Sequence, residues 1–213
     1  FAGWIVMGPL ETEFEIWQGA ARAEWGARIT DAVRLNLGFD GELQSLYGDY
    51  AGEPPRQSEG DPNPEQSGST IDTVRLEDTI LMVRPAGYLE AELRPVERLL
   101  LVPGVRVDVY GDLEDVTVDP RLAARLEVTD ATVLKWGVGL FSQPPVYYES
   151  LDVIGNPEIE PTHALHASAG VDQRIGGALG LGLEGFYKRL YHRVVATEGL
   201  APPRFTNDGV GRI

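Results

Sequence analysis

The most constraining feature of this sequence is an alternation of apolar and polar side chains, with a period of two, from Thr132 to Arg189. The first segment of this stretch would place four apolar residues on one face: Leu134, Trp136, Val138 and Leu140. The opposite face would carry Lys135, Gly137, Gly139, Phe141 and Gln143. The same alternation returns after Thr162 and again after Gly177. A period of two predicts β-strands with one apolar face and one face of polar or small residues.

Turn-forming sequences separate the alternating segments, and short connections alternate with longer ones along the chain. Short turns are predicted at Asp31, Pro95, Asp130 and Gly176, and longer connections after Asp49, Gly111, Pro144 and His192. This parity is typical of a membrane β-barrel, because its two rims face different compartments. The sequence therefore predicts an all-β fold, an antiparallel transmembrane β-barrel fragment. We expect a meander of about nine or ten long strands, with short periplasmic turns and long extracellular loops.

Four details of this prediction concern where strands are interrupted. The Asp49–Thr73 segment is rich in Pro, Gly, Ser and acidic residues, and is predicted to be a long extracellular loop. A loop of medium length is predicted for Gly111–Thr117. Another loop is predicted for Tyr191–Phe205, with Asn207 starting the last strand. Pro103 falls in mid-strand, where it removes a donor from the hydrogen-bond ladder, so a β-bulge is expected there.

Charged residues recur on the polar face of the predicted strands. Buried charges are costly unless they are paired or hydrated, so this many would not suit a dry core. A wide barrel with a water-bearing or plug-filled lumen removes that objection. The candidate lumen-facing residues are Arg22, Glu24, Arg28, Glu90, Glu92, Arg106, Asp108, Arg125, Lys135 and Glu184.

Composition excludes several other classes of protein. The net charge of −15 argues against nucleic acid as a partner, because phosphates would be repelled. There is no cysteine, so disulfides and thiolate metal sites are excluded. No apolar run approaches the roughly 20 residues that a membrane helix needs, although barrel strands do not require one.

Three motifs in the second half of the chain resemble the later barrel strands of TonB-dependent outer-membrane receptors. These are the GNPEIEP segment from Gly155 to Pro161, the LEGFYKRLYHRVV strand that includes Glu184 to Val195, and the NDGVG segment from Asn207 to Gly211. Thr162 departs from the family pattern, which usually has Glu there. The resemblance extends from about Tyr88 to Ile213 and is generic before that.

The resemblance implies a location in the outer membrane and a large barrel of about 22 strands with an internal plug. Residues 1–213 would then be part of the barrel domain, without the plug domain and the C-terminal strands. The family takes up scarce nutrients, such as iron–siderophore chelates or cobalamin, with energy from the TonB complex. The implied partners are membrane lipid, that complex through the missing plug region, and a small-molecule ligand such as a metal chelate. Neither a cofactor nor an enzymatic activity is expected.

Two sets of residues are expected near the rims of the barrel. The candidate ligand-contact loop carries Tyr147, Tyr148, Asp152 and Asn156. Five aromatic residues are candidates either for girdles at the lipid interface or for packing between strands: Trp17, Trp25, Trp136, Tyr187 and Tyr191.

Two other functions remain as alternatives. One is a small, complete outer-membrane barrel that acts as a pore or a surface protease, in which His163 and His166 could form a rim site with nearby acids. An extended backbone would place these two histidines on opposite faces, so a catalytic or metal role is not expected. The other is a soluble β-sandwich, disfavoured by its inward charges. The GLGLEG sequence starting at Gly180 matches the glycine spacing of a dinucleotide-binding motif. That motif requires a strand before it and a helix after it, whereas this sequence lies inside a predicted strand, so nucleotide binding is not expected.

Overall fold

The computed structural model describes residues 2–7, 10–52, 74–152, 155–177, 179–197 and 204–213, with side chains described from residue 13 except at 50–52 and 74–76. Ten strands form one open antiparallel sheet in which each strand pairs with its neighbours in sequence. They are β1 (Ala2–Met7), β2 (Leu10–Thr30), β3 (Val33–Gly52), β4 (Val74–Val96), β5 (Leu99–Tyr110), β6 (Asp115–Glu127), β7 (Thr132–Gln143), β8 (Thr162–Ile175), β9 (Leu179–Ala196) and β10 (Phe205–Arg212). The predicted all-β meander is confirmed.

Helical structure is confined, among the described residues, to one turn of 3₁₀-helix at Tyr147–Glu149. None of the described helical segments has the length and apolar character needed to cross a membrane.

The two faces of the sheet differ as the alternation predicts. One face, called the apolar face below, carries large side chains that no second layer of described residues covers: Trp17 is 69% exposed, Trp25 62% and Leu183 75%. A soluble monomer rarely exposes a continuous apolar surface of this extent. The opposite face, called the polar face, carries the charged residues. The structure therefore contradicts the soluble β-sandwich, which would bury its apolar face against a second sheet.

The connections lie at two rims. The described parts of the short-turn rim are residues 31–32, 97–98, 128–131 and 176–177, and those of the long-loop rim are residues 111–114, 144–152 and 155–161, with residues 197 and 204 at the ends of β9 and β10. Most of the predicted Asp49–Thr73 loop lies outside the described residues. Its first four residues belong to β3, which runs to Gly52.

Two of the predicted loops are shorter in the structure than the sequence indicated. The predicted Gly111–Thr117 loop is a tight turn, because β6 already begins at Asp115 and Glu114 takes up a positive φ of 53°. The predicted Tyr191–Phe205 loop is also wrong at both ends, since β9 continues to Ala196 and β10 begins at Phe205. His192, with φ of 49°, lies where the register of β9 against β10 shifts.

The expected bulge at Pro103 is absent. The pairs Glu90–Gly104 and Leu93–Leu101 share one register, so the strand passes Pro103 without an extra residue, and Pro103 pairs with Leu122 on the other side. The shift between β4 and β5 lies instead between Leu93 and Val96, beside the turn. A proline on one side of the ladder costs a donor but does not force an insertion.

Candidate functional site

The most connected group of charges lies on the polar face, across β2 to β5. Asp40 in β3 is held by two arginines, with Arg106 Nη1 at 2.6 Å and Arg22 Nε at 3.4 Å. Arg106 also binds Asp108 at 2.9 Å through its Nη2 atom. This cluster of four residues is called the arginine–aspartate cluster below. One guanidinium therefore joins carboxylates from two strands, a charge-assisted geometry that arginine's planar fork favours.

Strand register explains how the cluster forms. Arg22 lies directly opposite Asp40, and Ala86 in the intervening strand β4 lies opposite both Asp40 and Asp108. Because Ala86 has only a methyl group, Arg106 can reach past it to Asp40.

A tyrosine extends the cluster toward β2. Tyr88 pairs with Arg106 in the register, and its hydroxyl donates a hydrogen bond to Glu24 and lies 3.4 Å from Arg22 Nη2. The ring crosses Gly38 so closely that a Cβ at position 38 would overlap it, so a side chain there would displace Tyr88. The polar face therefore carries one connected hydrogen-bond network from β2 to β5.

Among the cavities in the described part of the structure, two open on the polar face in the middle of the sheet. One of about 640 Å³ is lined by the arginine–aspartate cluster and by residues as far away as Phe141 in β7. The other, about 440 Å³, lies between Glu90 and Lys188, with Phe141, His166 and Phe186 in its wall. Because strands far apart in the sheet line one cavity, the sheet curves with its polar face concave.

All ten candidate lumen-facing residues lie on this polar face, as cross-strand pairs show when followed from strand to strand. They do not form one site. Arg22, Glu24, Arg106 and Asp108 meet in the network above, whereas Lys135 pairs with Asp172 at 2.8 Å nearer the short-turn rim. The others are spread along the face: Arg28, Glu90, Glu92, Arg125 and Glu184.

Several polar-face residues were missing from the candidate set. Asp40 and Tyr88 complete the network, and Arg84 binds Asp112 through two hydrogen bonds of 3.0 and 2.6 Å. Asp40 and Arg84 occupy even-numbered positions of β3 and β4, which lie on the polar face, so the alternation in the sequence could have identified them. Asp112 lies in a turn, where alternation gives no signal.

A carboxylate, a hydroxyl and an imidazole meet near the long-loop rim. Ser142 donates a hydrogen bond of 2.7 Å from its hydroxyl to Asp119, and the same oxygen lies 2.9 Å from His163 Nδ1. In a hydrolytic triad the imidazole lies between the carboxylate and the hydroxyl. Here the hydroxyl is in the middle, and its proton is directed to the carboxylate. The order of the groups therefore does not activate a serine nucleophile.

The two candidate rim histidines diverge in the structure. The His163 ring stacks on Tyr191 with a centroid distance of 5.3 Å, whereas His166 lies 4.8 Å from Phe141 on the polar face. Among the described residues, no cluster of three or more His, Cys, Asp or Glu side chains could hold a metal ion. The structure thus gives the surface-protease alternative no assembled centre in the part of the chain that it describes.

The candidate ligand-contact loop folds back onto the sheet edge. Asn156 donates through Nδ2 to the Phe205 carbonyl at 3.0 Å, and its Oδ1 accepts from the Glu158 amide at 3.0 Å. Gly155 permits this path, because a Cβ there would lie 2.4 Å from the Glu149 carbonyl oxygen. Both polar atoms of the Asn156 side chain are therefore used within the protein.

The other candidates in this loop differ in exposure. Tyr147 is 45% exposed and Asp152 is exposed, whereas the Tyr148 ring is partly covered, 6.1 Å from the Phe205 ring. Burial raises the pKa of the nearby Glu149 carboxyl, and the hydrogen bond that it accepts from the Val146 amide partly offsets the shift. Tyr147 and Asp152 are thus the two candidates most accessible to a ligand.

Asn207 fastens the end of this loop to the sheet. Its Nδ2 donates to the carbonyls of Glu160 and His192, both at 2.9 Å, and its Oδ1 accepts from the Glu160 amide at 2.9 Å. Ile159 and Pro161 are buried beside it. The GNPEIEP and NDGVG segments, which the sequence presents separately, are therefore parts of one contact.

We expect Asn207→Ala to release the loop from β9 and β10, because it removes three hydrogen bonds and leaves a peptide group without its partner. The local cost should be about 1–3 kcal/mol. Hydrogen exchange of the 155–161 amides in the full-length protein measures it. Asn36→Ala is the matched control, since Asn36 donates a long bond of 3.4 Å to Glu92 and accepts one of 3.2 Å from Arg34, both at other side chains and away from this loop. Equal protection of the loop in Asn207→Ala and the unaltered protein would show that Asn207 does not hold it.

Comparisons with known proteins agree with this architecture. The model of the family described as "TonB dependent receptor-like, beta-barrel" matches residues 8–213. No curated protein is significantly similar to the chain in sequence.

Solved structures share the fold at low sequence identity. The siderophore receptor PirA from Pseudomonas aeruginosa is 16% identical, with a TM-score of 0.67 over 94% of this chain and 35% of that chain. The copper transporter OprC is 14% identical, with a TM-score of 0.65 over 87% of this chain and 32% of that one. The outer membrane transporter YddB from Escherichia coli is 12% identical, with a TM-score of 0.65 over 95% and 30%.

The chain spans about a third of the length of these solved structures. Identities this low establish a shared fold and leave the ligand open. The family match covers nearly the whole chain, and the open antiparallel meander with one apolar and one charged face is the architecture expected of a segment of barrel wall. The chain therefore belongs to the TonB-dependent receptor-like β-barrel family.

Proposed function

We propose that this chain forms part of the barrel wall of an outer-membrane active-transport receptor, with the apolar face in lipid and the polar face toward the lumen. The observation that carries the proposal is the contrast between the two faces. Uncovered tryptophan and leucine side chains lie on one face, and an ion-pair network joining three strands lies on the other. Lipid accepts the first surface, and a hydrated or plug-filled lumen accepts the second.

The proposed cargo is a small molecule such as a metal chelate, taken up with energy from the TonB complex through a plug region. Family membership supports this class, as do the solved relatives described as a siderophore receptor and a copper transporter. We propose that the protein binds and moves its ligand without chemical change. The carboxylate–hydroxyl–imidazole order at Asp119, Ser142 and His163 supports that view.

The proposed ligand contacts lie on the 144–161 loop. Tyr147 and Asp152 are exposed, and would supply an aromatic surface and a carboxylate to a ligand at the barrel mouth. Tyr148 and Asn156 would hold the loop in position, since they contact Phe205.

We expect Tyr147→Ala combined with Asp152→Ala to reduce ligand uptake by about tenfold or more, as loss of two contacts at a recognition site would. Cells that produce the full-length receptor can be supplied with a panel of radiolabelled iron–siderophore chelates and labelled cobalamin. Glu158→Ala, an exposed acid in the same loop, is the control and should change uptake less than twofold. Unchanged uptake of a transported compound in the double variant would remove this loop from the binding site.

The orientation has its own test, which uses the absence of cysteine from this chain. A single cysteine introduced by Asp152→Cys in the long-loop rim should react with an impermeant thiol reagent on intact cells. A cysteine introduced by Asp31→Cys in the short-turn rim should react only after the outer membrane is permeabilised. The Asp31 side chain is fully exposed, so burial cannot explain slow labelling. The reverse pattern would place the short turns outside the cell.

A further inference from the structure

Two arginines face each other on the apolar side of the sheet. Arg189 in β9 is the register partner of Arg212 in β10, and both are exposed. Lys188 and Ile213, one step along the strands, exchange both backbone hydrogen bonds at 3.0 and 2.9 Å. The arginines therefore occupy a non-hydrogen-bonded pair, in which opposite side chains lie closest together. Like charges in that position destabilise a sheet unless an anion joins them.

The protein supplies no such anion in the part that the structure describes. Neither guanidinium forms an ion pair with a described residue. On the other side of Arg189 the register partner is Leu165. This contrasts with the polar face, where arginines such as Arg22, Arg84 and Arg106 have carboxylate partners. Both arginines thus lie on the apolar face without a carboxylate partner among the described residues.

The order of residues along β9 locates the pair relative to a membrane. From the short-turn rim upward, the apolar face of β9 carries Leu179, Leu181, Leu183, Gly185, Tyr187, Arg189 and Tyr191. The leucines form a stretch suited to hydrocarbon, and tyrosines with an arginine between them are the residues that favour the headgroup boundary. Arg189 lies six positions from Leu183, about 20 Å along the strand. Tyr191 is further fixed by stacking on His163.

We propose that Arg189 and Arg212 form a binding site for the phosphate group of an anionic membrane lipid, at the headgroup level on the long-loop side. Each guanidinium would donate charge-assisted hydrogen bonds to the phosphate oxygens, which also removes the repulsion between the two arginines. Tyr187, on the hydrocarbon side of Arg189, would cover the glycerol or sugar region beneath the phosphate, and Tyr191 would lie above it. The proposal rests on the proposed function, because that function puts this face in lipid. A lipid headgroup, rather than free phosphate, is the chosen ligand because hydrocarbon-facing residues continue directly below the pair.

Native mass spectrometry of the full-length receptor in detergent, titrated with phosphatidylglycerol, tests the site. We expect Arg189→Gln and Arg212→Gln each to weaken binding about fivefold, and the double variant about 25-fold, which corresponds to about 1 kcal/mol per arginine near a membrane surface. Lys188→Gln is the matched control, because it removes a cation one residue away on the opposite face. Phosphatidylcholine with the same acyl chains should bind at least fivefold more weakly and equally to all variants.

Three results would overturn the site: binding of phosphatidylglycerol to the double variant within twofold of the unaltered protein, an equal loss in Lys188→Gln, or displacement of the lipid by an equimolar amount of inorganic phosphate. Resistance of the folded barrel to unfolding on an unheated gel shows whether each variant is folded. If the glutamine variants do not fold, Arg189→Lys gives a second variant, because it keeps the positive charge. If the receptor transports its ligand but its binding of phosphatidylglycerol does not depend on these arginines, only the lipid site is rejected. A protein that does not enter the membrane rejects the proposed function as well.

Discussion

Leu183→Arg is expected to destabilise the membrane-inserted receptor by about 2–4 kcal/mol, the cost of an arginine near the middle of the bilayer on the lipid face of a barrel. Leu183 is the most suitable position because it projects from the apolar face with 75% of its surface exposed. It also lies between the turn at 176–177 and Tyr187, which would mark the two interfaces, six residues from the first and four from the second. Reversible unfolding by urea or guanidinium in lipid vesicles gives the free energy directly.

The neighbouring residue is the control for Leu183→Arg. Glu184 lies on the polar face, so Glu184→Gln should change the unfolding free energy by less than about 1 kcal/mol. The two positions are adjacent and lie at almost the same depth, so depth does not explain a difference between them. Similar losses at both positions would show that the apolar face is not the lipid face.

Alternation predicted the strands well because it records a property of each strand by itself. It failed at strand ends for a physical reason. Near the long-loop rim, strands such as β3 and β9 continue beyond the predicted apolar series with residues that are polar on both faces, as at Gly48–Asp49 and His192–Arg193. Backbone pairing alone extends them there. Such pairing needs a partner strand, which a single stretch of sequence does not show.

The face of the sheet on which each side chain lies was likewise predictable, whereas the contacts between side chains of different strands were not. Parity assigns Arg106 and Asp108 to one face, but the bond from Arg106 to Asp40 crosses Ala86 and depends on the register of three strands. The register between strands is not visible in the alternation of any one strand. The hydrogen bonds of Asn207 to Glu160 and His192 depend further on how a loop folds back over the sheet edge. The sequence contained both motifs without any sign that they touch.

The arginine–aspartate cluster allows the second large effect to be predicted. Arg106→Gln should destabilise the receptor by about 2 kcal/mol, because it leaves Asp40 and Asp108 facing each other across Ala86 without the cation between them. The residues are partly shielded, with 29% of the Arg106 and 17% of the Asp108 side chain exposed. Breaking a fully buried ion pair costs about 3–5 kcal/mol, and the remaining exposure reduces that figure here.

Two variants separate this mechanism from a general loss of charge on the polar face. Arg125→Gln removes an arginine whose carboxylate partner, Glu127, lies 3.7 Å away, with about half of both side chains exposed, so it should cost about 0–1 kcal/mol. Adding Asp40→Asn and Asp108→Asn to Arg106→Gln should restore much of the lost stability, because no uncompensated carboxylate then remains, and the coupling can be read from the corresponding mutant cycle. The measurement is the unfolding free energy of Arg106→Gln, of Arg125→Gln and of Arg106→Gln with both asparagines, in the same vesicles as Leu183→Arg. If Arg106→Gln and Arg125→Gln cost the same, or if the added asparagines deepen the loss, the cluster does not stabilise the barrel by balancing charge, and its arginines act only through packing.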